Sequence, residues 1–364
     1  MSTSDSFYRR AIATLSGHSL SNNLRVIQRL SSKSQVVAMV KANAYGHGIR
    51  SVSKRLSSHV YALGVASIDE AVCLRDCGVL SKIILMEGVV CQKDLDLVDS
   101  LHLDMVVHDF THLTWLSEFS GDVYDVWIKV DIGMGRLGFF PKDVSRVIDA
   151  LKKLNIKGQL RLMGHLSSAE EGIDHVDNQQ QLQQFSNVVS QYDYEASLCN
   201  SAATYLFQDH HYDYVRPGLA LYGTCPIYDK TDHGLTPVMT LKSRLIAVKH
   251  FPKGHGVGYG HDFICSRSMR VGVISFGYGD GFPRSVRSGC PVLVDGIECP
   301  LVGRVSMDMM TVDLSSCPQA QIGTEVILWG DGLPIATIES YSGISRYELF
   351  TSVQNRVKFI WDDG

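Results

Sequence analysis

Val36-Val-Ala-Met-Val-Lys-Ala-Asn-Ala-Tyr-Gly-His-Gly48 reads as a short apolar strand that ends at a lysine and then turns. A β-branched run of this length, bounded by turn residues, fits a fully buried strand. The turn, Asn43-Ala44-Tyr45-Gly46-His47-Gly48, is not GxGxxG. An open, doubly wound sheet would need such a glycine-rich nucleotide turn after its first strand. The stretch therefore points to a different parallel architecture.

Working outward, seven more runs of the same kind follow: 61–66, 82–87, 103–108, 125–131, 159–165, 195–200 and 212–216. Helical segments such as 69–76, 142–154 and 179–189 lie between them. Strands alternating with helices imply a parallel sheet, and eight such units fit a closed (β/α)8 barrel of the TIM type. After Tyr222 the pattern changes. Strand-like runs at 239–248, 269–274, 292–294 and 324–328 are separated by turns rich in Gly, Pro and Asp. The expected organisation is a barrel domain over 1–234 and a mainly-β domain over 235–364, with the first few residues packing on the second domain.

Bulk properties narrow the function. The chain has 364 residues, 45% apolar and 20% charged, with a net charge of −4. That composition suits a globular enzyme with a sizeable core. It implies no basic face, so neither nucleic acid nor membrane is an expected partner. The N-terminus lacks the apolar core of a signal peptide, and no apolar run is long enough to cross a bilayer. The nine cysteines are scattered, and no Cys/His cluster has zinc spacing. The expectation is a reduced, cytoplasmic protein without a structural metal.

Functional residues of a βα barrel sit at the C-terminal ends of its strands. Here those ends read Lys41, the Arg136 segment, His165, Asn200-Ser201 and Arg216-Pro217-Gly218. Two arginines, a lysine and a histidine on one rim are an unusual collection for an arbitrary barrel.

The motifs then become specific. Val40–Gly48 resembles the cofactor-attachment motif of alanine racemases. So do Lys129-Val-Asp-Ile-Gly-Met-Gly-Arg-Leu-Gly138, Val215-Arg-Pro-Gly-Leu-Ala-Leu-Tyr-Gly223 and Gly256-Val-Gly-Tyr-Gly260. Gly277-Tyr-Gly-Asp-Gly281 and Gly303-Arg-Val-Ser-Met-Asp308 complete the series, in order and across nearly the whole chain. The resemblance implies a pyridoxal 5'-phosphate (PLP) dependent isomerase that interconverts L- and D-alanine and supplies D-alanine for peptidoglycan.

By the same resemblance, Lys41 would hold PLP as a Schiff base and act on one face of the substrate, with Tyr259 of a partner subunit acting on the other. His165 and Arg216 would assist Tyr259, and Arg216 would face the pyridine nitrogen. Tyr45, Ser201, Gly218 and Leu219 would surround the phosphate, beside the loops after strands seven and eight. Asn200 joins that cofactor-binding set. Arg136 would contact the cofactor ring and the substrate carboxylate, with the partner's Met307 completing carboxylate binding. Asp308 and Tyr278 would stand near the substrate entrance. The implied assembly is a homodimer with shared sites, acting on a small amino acid.

Several readings stay open at this stage. Ser201 suits a turn as well as a phosphate. Arg216 could pair with a carboxylate. Lys129 would be carbamylated, as in some relatives, or else paired with a carboxylate such as Asp131. Asp308 and Tyr278 could be turn or packing residues. A PLP-dependent decarboxylase would carry an acidic partner where Arg216 stands. A non-catalytic PLP carrier would lack the second domain. A broader alanine/serine racemase is the remaining alternative, because Asn355 precedes Arg356-Val357 where several alanine racemases carry a tyrosine.

Overall fold

Eight short parallel strands close on themselves in the order of the sequence, as a computed structural model describing residues 11–227 and 233–363 shows. They are Gln35–Met39, Ala62–Val65, Lys82–Leu85, Asp104–Val107, Val126–Lys129, Leu160–Met163, Ala196–Ser197 and Tyr214–Val215. The last pairs with the first, Gln35 opposite Tyr214 and Val36 opposite Val215, and this closes the barrel. All eight fall within the runs read from the sequence, apart from Gln35 at the first strand's start.

Inward-facing side chains fill the barrel rather than leaving a pore. Val37, Met39, Ala62, Ile84, Val106, Trp127, Met163 and Tyr214 form this core. The N-terminal ends of the strands carry a charged network. Arg161 pairs with Asp125 at 2.6 Å and with Glu195 at 2.7 Å, and Lys82 pairs with Asp125 and, at 3.5 Å, with Asp104. Paired charges occupy this end, which leaves the opposite end for chemistry. The barrel unit comprises the described residues of Ser21–Leu235.

The other unit comprises the described residues of Met1–Leu20 and Thr236–Gly364. Its long strand Met239–Phe251 pairs with Ile12–Ser16, Glu325–Trp329 and Met269–Ile274. Ile12–Ser16 also runs parallel to Lys358–Asp362. The early strand therefore stands in the sheet of the second unit, while residues 1–10, which the expectation for the first few residues also covers, lie outside the described residues.

Two short helices, Ile335–Ser342 and Arg346–Thr351, interrupt the β-structure. The Ser345 hydroxyl accepts from the Glu348 amide at 3.3 Å and caps the second. Neither is long enough to set up a readable helical period.

Candidate active site

The first strand ends in an uncommon backbone. Ala42, Asn43, Ala44 and Tyr45 all have φ between 51° and 54°. For L-residues each such conformation costs about 1–2 kcal/mol. The turn closes through Gly46 N–H to Ala42 O at 3.0 Å and Gly48 N–H to Asn43 O at 2.9 Å. The Asn43 side chain accepts from the Ile49 amide at 2.9 Å. Tyr45 and His47 both stack on buried Tyr222, whose hydroxyl donates to Met39 O at 2.9 Å. Four consecutive left-handed residues persist only where surroundings over-determine them, and such strain gathers at functional sites. Lys41 stands directly before this turn.

Arg216, at the end of the eighth strand, is only 3% exposed. Its guanidinium donates to Ser197 Oγ at 2.5 Å, to Gly164 O at 2.6 Å and to Leu198 O at 3.1 Å. His165 Nδ1 lies 3.4 Å from the same group. Every one of these partners is neutral, and no carboxylate pairs with it among the described residues. Burial lowers its pKa to about 10, which leaves it charged at neutral pH.

The charges acting on His165 are all positive. Burial, then Lys129, Arg216, Arg136 and Lys41, hold the His165 pKa well below its ordinary value, so its ring is neutral. Burial, then Arg216, Arg136 and Lys41, hold the Lys129 ammonium far below the usual range, although the residue is not fully shielded from solvent. Asp131 opposes that shift but makes no ion pair with Lys129. Its Oδ1 accepts instead from the amides of Gly133 at 3.0 Å and Gly135 at 3.1 Å, shaping the loop that carries exposed Arg136. Arg216, Arg136 and Lys41, with the Lys129 amine among them, thus gather around His165 without a carboxylate ion pair among the described residues. Concentrated positive charge of this kind calls for an anionic ligand.

A cradle lies beside them. The amides of Gly218 and Ala220 converge on Ser201 Oγ at 2.9 and 3.2 Å. A Cβ on Gly218 would stand 2.2 Å from the Tyr45 hydroxyl. Tyr45, Ser201 and Gly218 are therefore brought together, and Leu219 follows at the start of the short helix Leu219–Tyr222. Asn200 acts locally, since its side chain accepts from Ala203 N at 3.0 Å and caps the helix Ser201–Leu206.

Tyr259, Tyr278, Met307 and Asp308 belong to the second unit. Tyr259 sits in a one-turn helix between Gly258 and Gly260, both at positive φ, and is 68% exposed. Tyr278 N–H donates to Ser306 O at 3.0 Å and Gly279 N–H to Met307 O at 2.8 Å, which joins two of the motifs. Met307 is 53% exposed. Asp308 pairs with Arg356, which also donates to buried Asp280 at 2.7 Å. Asn355 is exposed beside that arginine.

The alanine racemase N-terminal domain model matches residues 15–226 and the C-terminal domain model residues 238–361. The chain belongs to the alanine racemase family. It is 40% identical over 350 residues to the alanine racemase of Pasteurella multocida, covering 95% of this chain and 97% of that one. With the Vibrio parahaemolyticus enzyme the identity is 41% over 354 residues, covering 96% and 98%. The biosynthetic alanine racemase of Pseudomonas aeruginosa superposes with a TM-score of 0.93 at 36% identity, over 97% of this chain and 99% of that one. A Bartonella henselae alanine racemase, solved with covalently bound pyridoxal phosphate, gives a TM-score of 0.87 at 29% identity, over 97% and 99%.

The chain is accordingly a PLP-dependent isomerase of the alanine racemase family. Its barrel rim suits that cofactor. The Gly218 cradle leaves no room for a Cβ, and cations without a carboxylate partner among the described residues match a phosphate and a carboxylate. Tyr222, Ser197, His47 and Glu70 also shape this alanine racemase rim without having been singled out in the sequence. Tyr222 and His47 stood inside quoted motifs; Ser197 and Glu70 lay outside them, and only folding brings them in.

Proposed function

We propose that the chain interconverts L- and D-alanine by moving the α-proton between Lys41 on one face and Tyr259 of a second copy on the other. The observation that carries this reading is the rim of basic side chains, Lys41, Lys129, Arg136 and Arg216, around His165, with no carboxylate ion pair among the described residues. When bound, PLP supplies an electron-withdrawing ring that acidifies the substrate Cα–H.

The chain's own residues do the rest. Lys41 would bind the cofactor covalently and exchange a proton at Nζ. Tyr45, Ser201 and the amides of Gly218 and Leu219 would hold the phosphate. Arg216, fixed by neutral acceptors, would present a donor to the pyridine nitrogen where decarboxylases present an acid. Being permanently charged, it would disfavour a proton on that nitrogen. The exposed phenol of Tyr259 suits insertion into another copy's site, with positive charge there favouring phenolate. Arg136 and the partner's Met307 would bind the substrate carboxylate. Asp308 and Tyr278 would line the entrance. Lys129, crowded by three cations, would gain from carbamylation, which turns a cation into an anion beside Arg136.

The assembly would be a homodimer in the cytoplasm, supplying D-alanine for peptidoglycan. No helix among the described residues is long and apolar enough to cross a membrane. Exposed Asn355 favours one variation, tolerance of serine, because asparagine is shorter than a phenol and polar. Asn355→Tyr should then shift the kcat/KM ratio toward alanine.

The test is borohydride reduction of the purified yellow protein, with peptide mapping and with assays for D-alanine and CO2. The expected result is a pyridoxyl group on Lys41 and D-alanine without CO2. A label on another lysine, or CO2 release, contradicts the reading.

A further inference from the structure

Glu70 lies on the helix Ile68–Asp76, which follows the second barrel strand. Its carboxylate reaches back across the strand ends. Oε1 accepts from the Ala42 amide at 2.7 Å, and Oε2 accepts from the Ala66 amide at 2.8 Å. Ser67 caps the helix and accepts from the Glu70 amide at 3.5 Å. No Lys or Arg pairs with this carboxylate among the described residues.

The position is informative. The ladder between the first two strands continues to Val40 N–H on Gly64 O at 2.9 Å, where the strands part. The ladder would go on with Ala66 N–H on Val40 O, but Val40 O accepts from the Ala44 amide of the turn at 2.8 Å, so the Ala66 and Ala42 amides are left to another acceptor. A carboxylate supplies two acceptors and closes the gap; a glutamine would turn an N–H toward one of the amides. Ala42 N belongs to the peptide bond that joins Lys41 to the left-handed turn. Fixing that peptide fixes the backbone from which the Lys41 side chain departs.

We propose that Glu70 is a positioning residue for Lys41. It bridges the Lys41–Ala42 peptide to the end of the second strand and so sets where the Lys41 amine meets the substrate's α-proton. The inference rests on the reading of Lys41 as the cofactor-bearing base. A charged acceptor in a charge-assisted bond makes the bridge stiffer than a neutral one would. A small displacement at the reacting atom can cost on the order of 10²-fold in rate.

The experiment compares wild type, Glu70→Gln and Glu70→Ala as full-length, cofactor-loaded proteins. Amide exchange of the segment 41–46 should quicken by roughly tenfold in Glu70→Gln and more in Glu70→Ala. kcat should fall by about tenfold and about 100-fold respectively, with KM changed far less. Lys41 removes the α-proton from only one enantiomer. The α-deuterium isotope effect should therefore rise in that direction and not in the other, which a general loss of folded protein would not produce.

Unchanged exchange at 41–46 overturns the inference. So do isotope effects that stay as in wild type, or failure of both variants to fold, which would make Glu70 a residue of the fold alone. Borohydride mapping of the wild type runs in parallel. A label on Lys41 with unaltered Glu70 variants overturns this inference alone; a label elsewhere overturns the reading of Lys41 as well.

Discussion

Arg216 shows how much of the site a residue-level reading can reach. Its place at a strand end and its motif singled it out, yet the sequence left open a carboxylate partner. The fold decides this: Ser197 Oγ, Gly164 O and Leu198 O take its donors, and His165 Nδ1 stands nearby. These partners come from two other strands and the loops that follow them, and no local spacing announces them. The geometry uses the planar fork of a guanidinium, which an ammonium does not reproduce. Arg216→Lys should lower kcat by at least about tenfold and stability by about 1–3 kcal/mol, through buried acceptors left unpaired. Steady-state kinetics and a denaturant titration check both. Lys129 follows the same pattern. Its position beside Asp131 suggested an ion pair, but Asp131 is engaged by two loop amides.

At the scale of elements, the barrel strands were legible because buried parallel strands read as apolar runs. The left-handed turn at 42–46 was not. Nothing in Ala-Asn-Ala-Tyr marks four residues for positive φ; stacking on Tyr222, far along the chain, and bonds to Asn43 and Glu70 impose it. The strand Ile12–Ser16 is not among the runs expected from the sequence, although the surrounding segment alternates polar and apolar residues. Its partners, Met239–Phe251 and Lys358–Asp362, are remote in sequence. The phosphate cradle gives a sharp test at this scale. Gly218 has φ of −122°, so positive φ is not what calls for a glycine there, whereas close approach is. In Gly218→Ala the new methyl meets the Tyr45 hydroxyl. The affinity for PLP should fall at least about tenfold, equivalent to about 1.4 kcal/mol, and the melting temperature of the cofactor-free protein should fall too, because the stacked Tyr45 ring must shift. Absorbance titration with PLP measures the first and calorimetry the second.

For the whole molecule, buried histidines set the acid limit of stability. Burial lowers the pKa of His47 and His112 to about 4. Unfolded, each would titrate near about 6.5. The unfolded chain therefore binds more protons between these values, and stability falls as pH drops through that window, by on the order of 3 kcal/mol for His47 alone. Asp104, raised to about 6 chiefly by burial, works in the opposite direction, against His47, His112, His165 and His211, all lowered chiefly by burial. Urea midpoints should be lower at pH 5 than at pH 7. Assembly is the other property of the whole molecule. The proposed site combines the Lys41 rim of one copy with Tyr259 of another, and an isologous two-fold interface would make two such sites. Lys41→Ala and Tyr259→Phe homodimers should each be nearly inactive. In a mixed dimer one site carries both substitutions and the other carries neither. The decisive measurement is the racemase activity of verified mixed dimers formed from these two variants. Recovery of up to about half the wild-type activity per dimer is expected from one intact site in two. No recovery from dimers shown to be mixed would contradict the shared site and place both residues within a single chain.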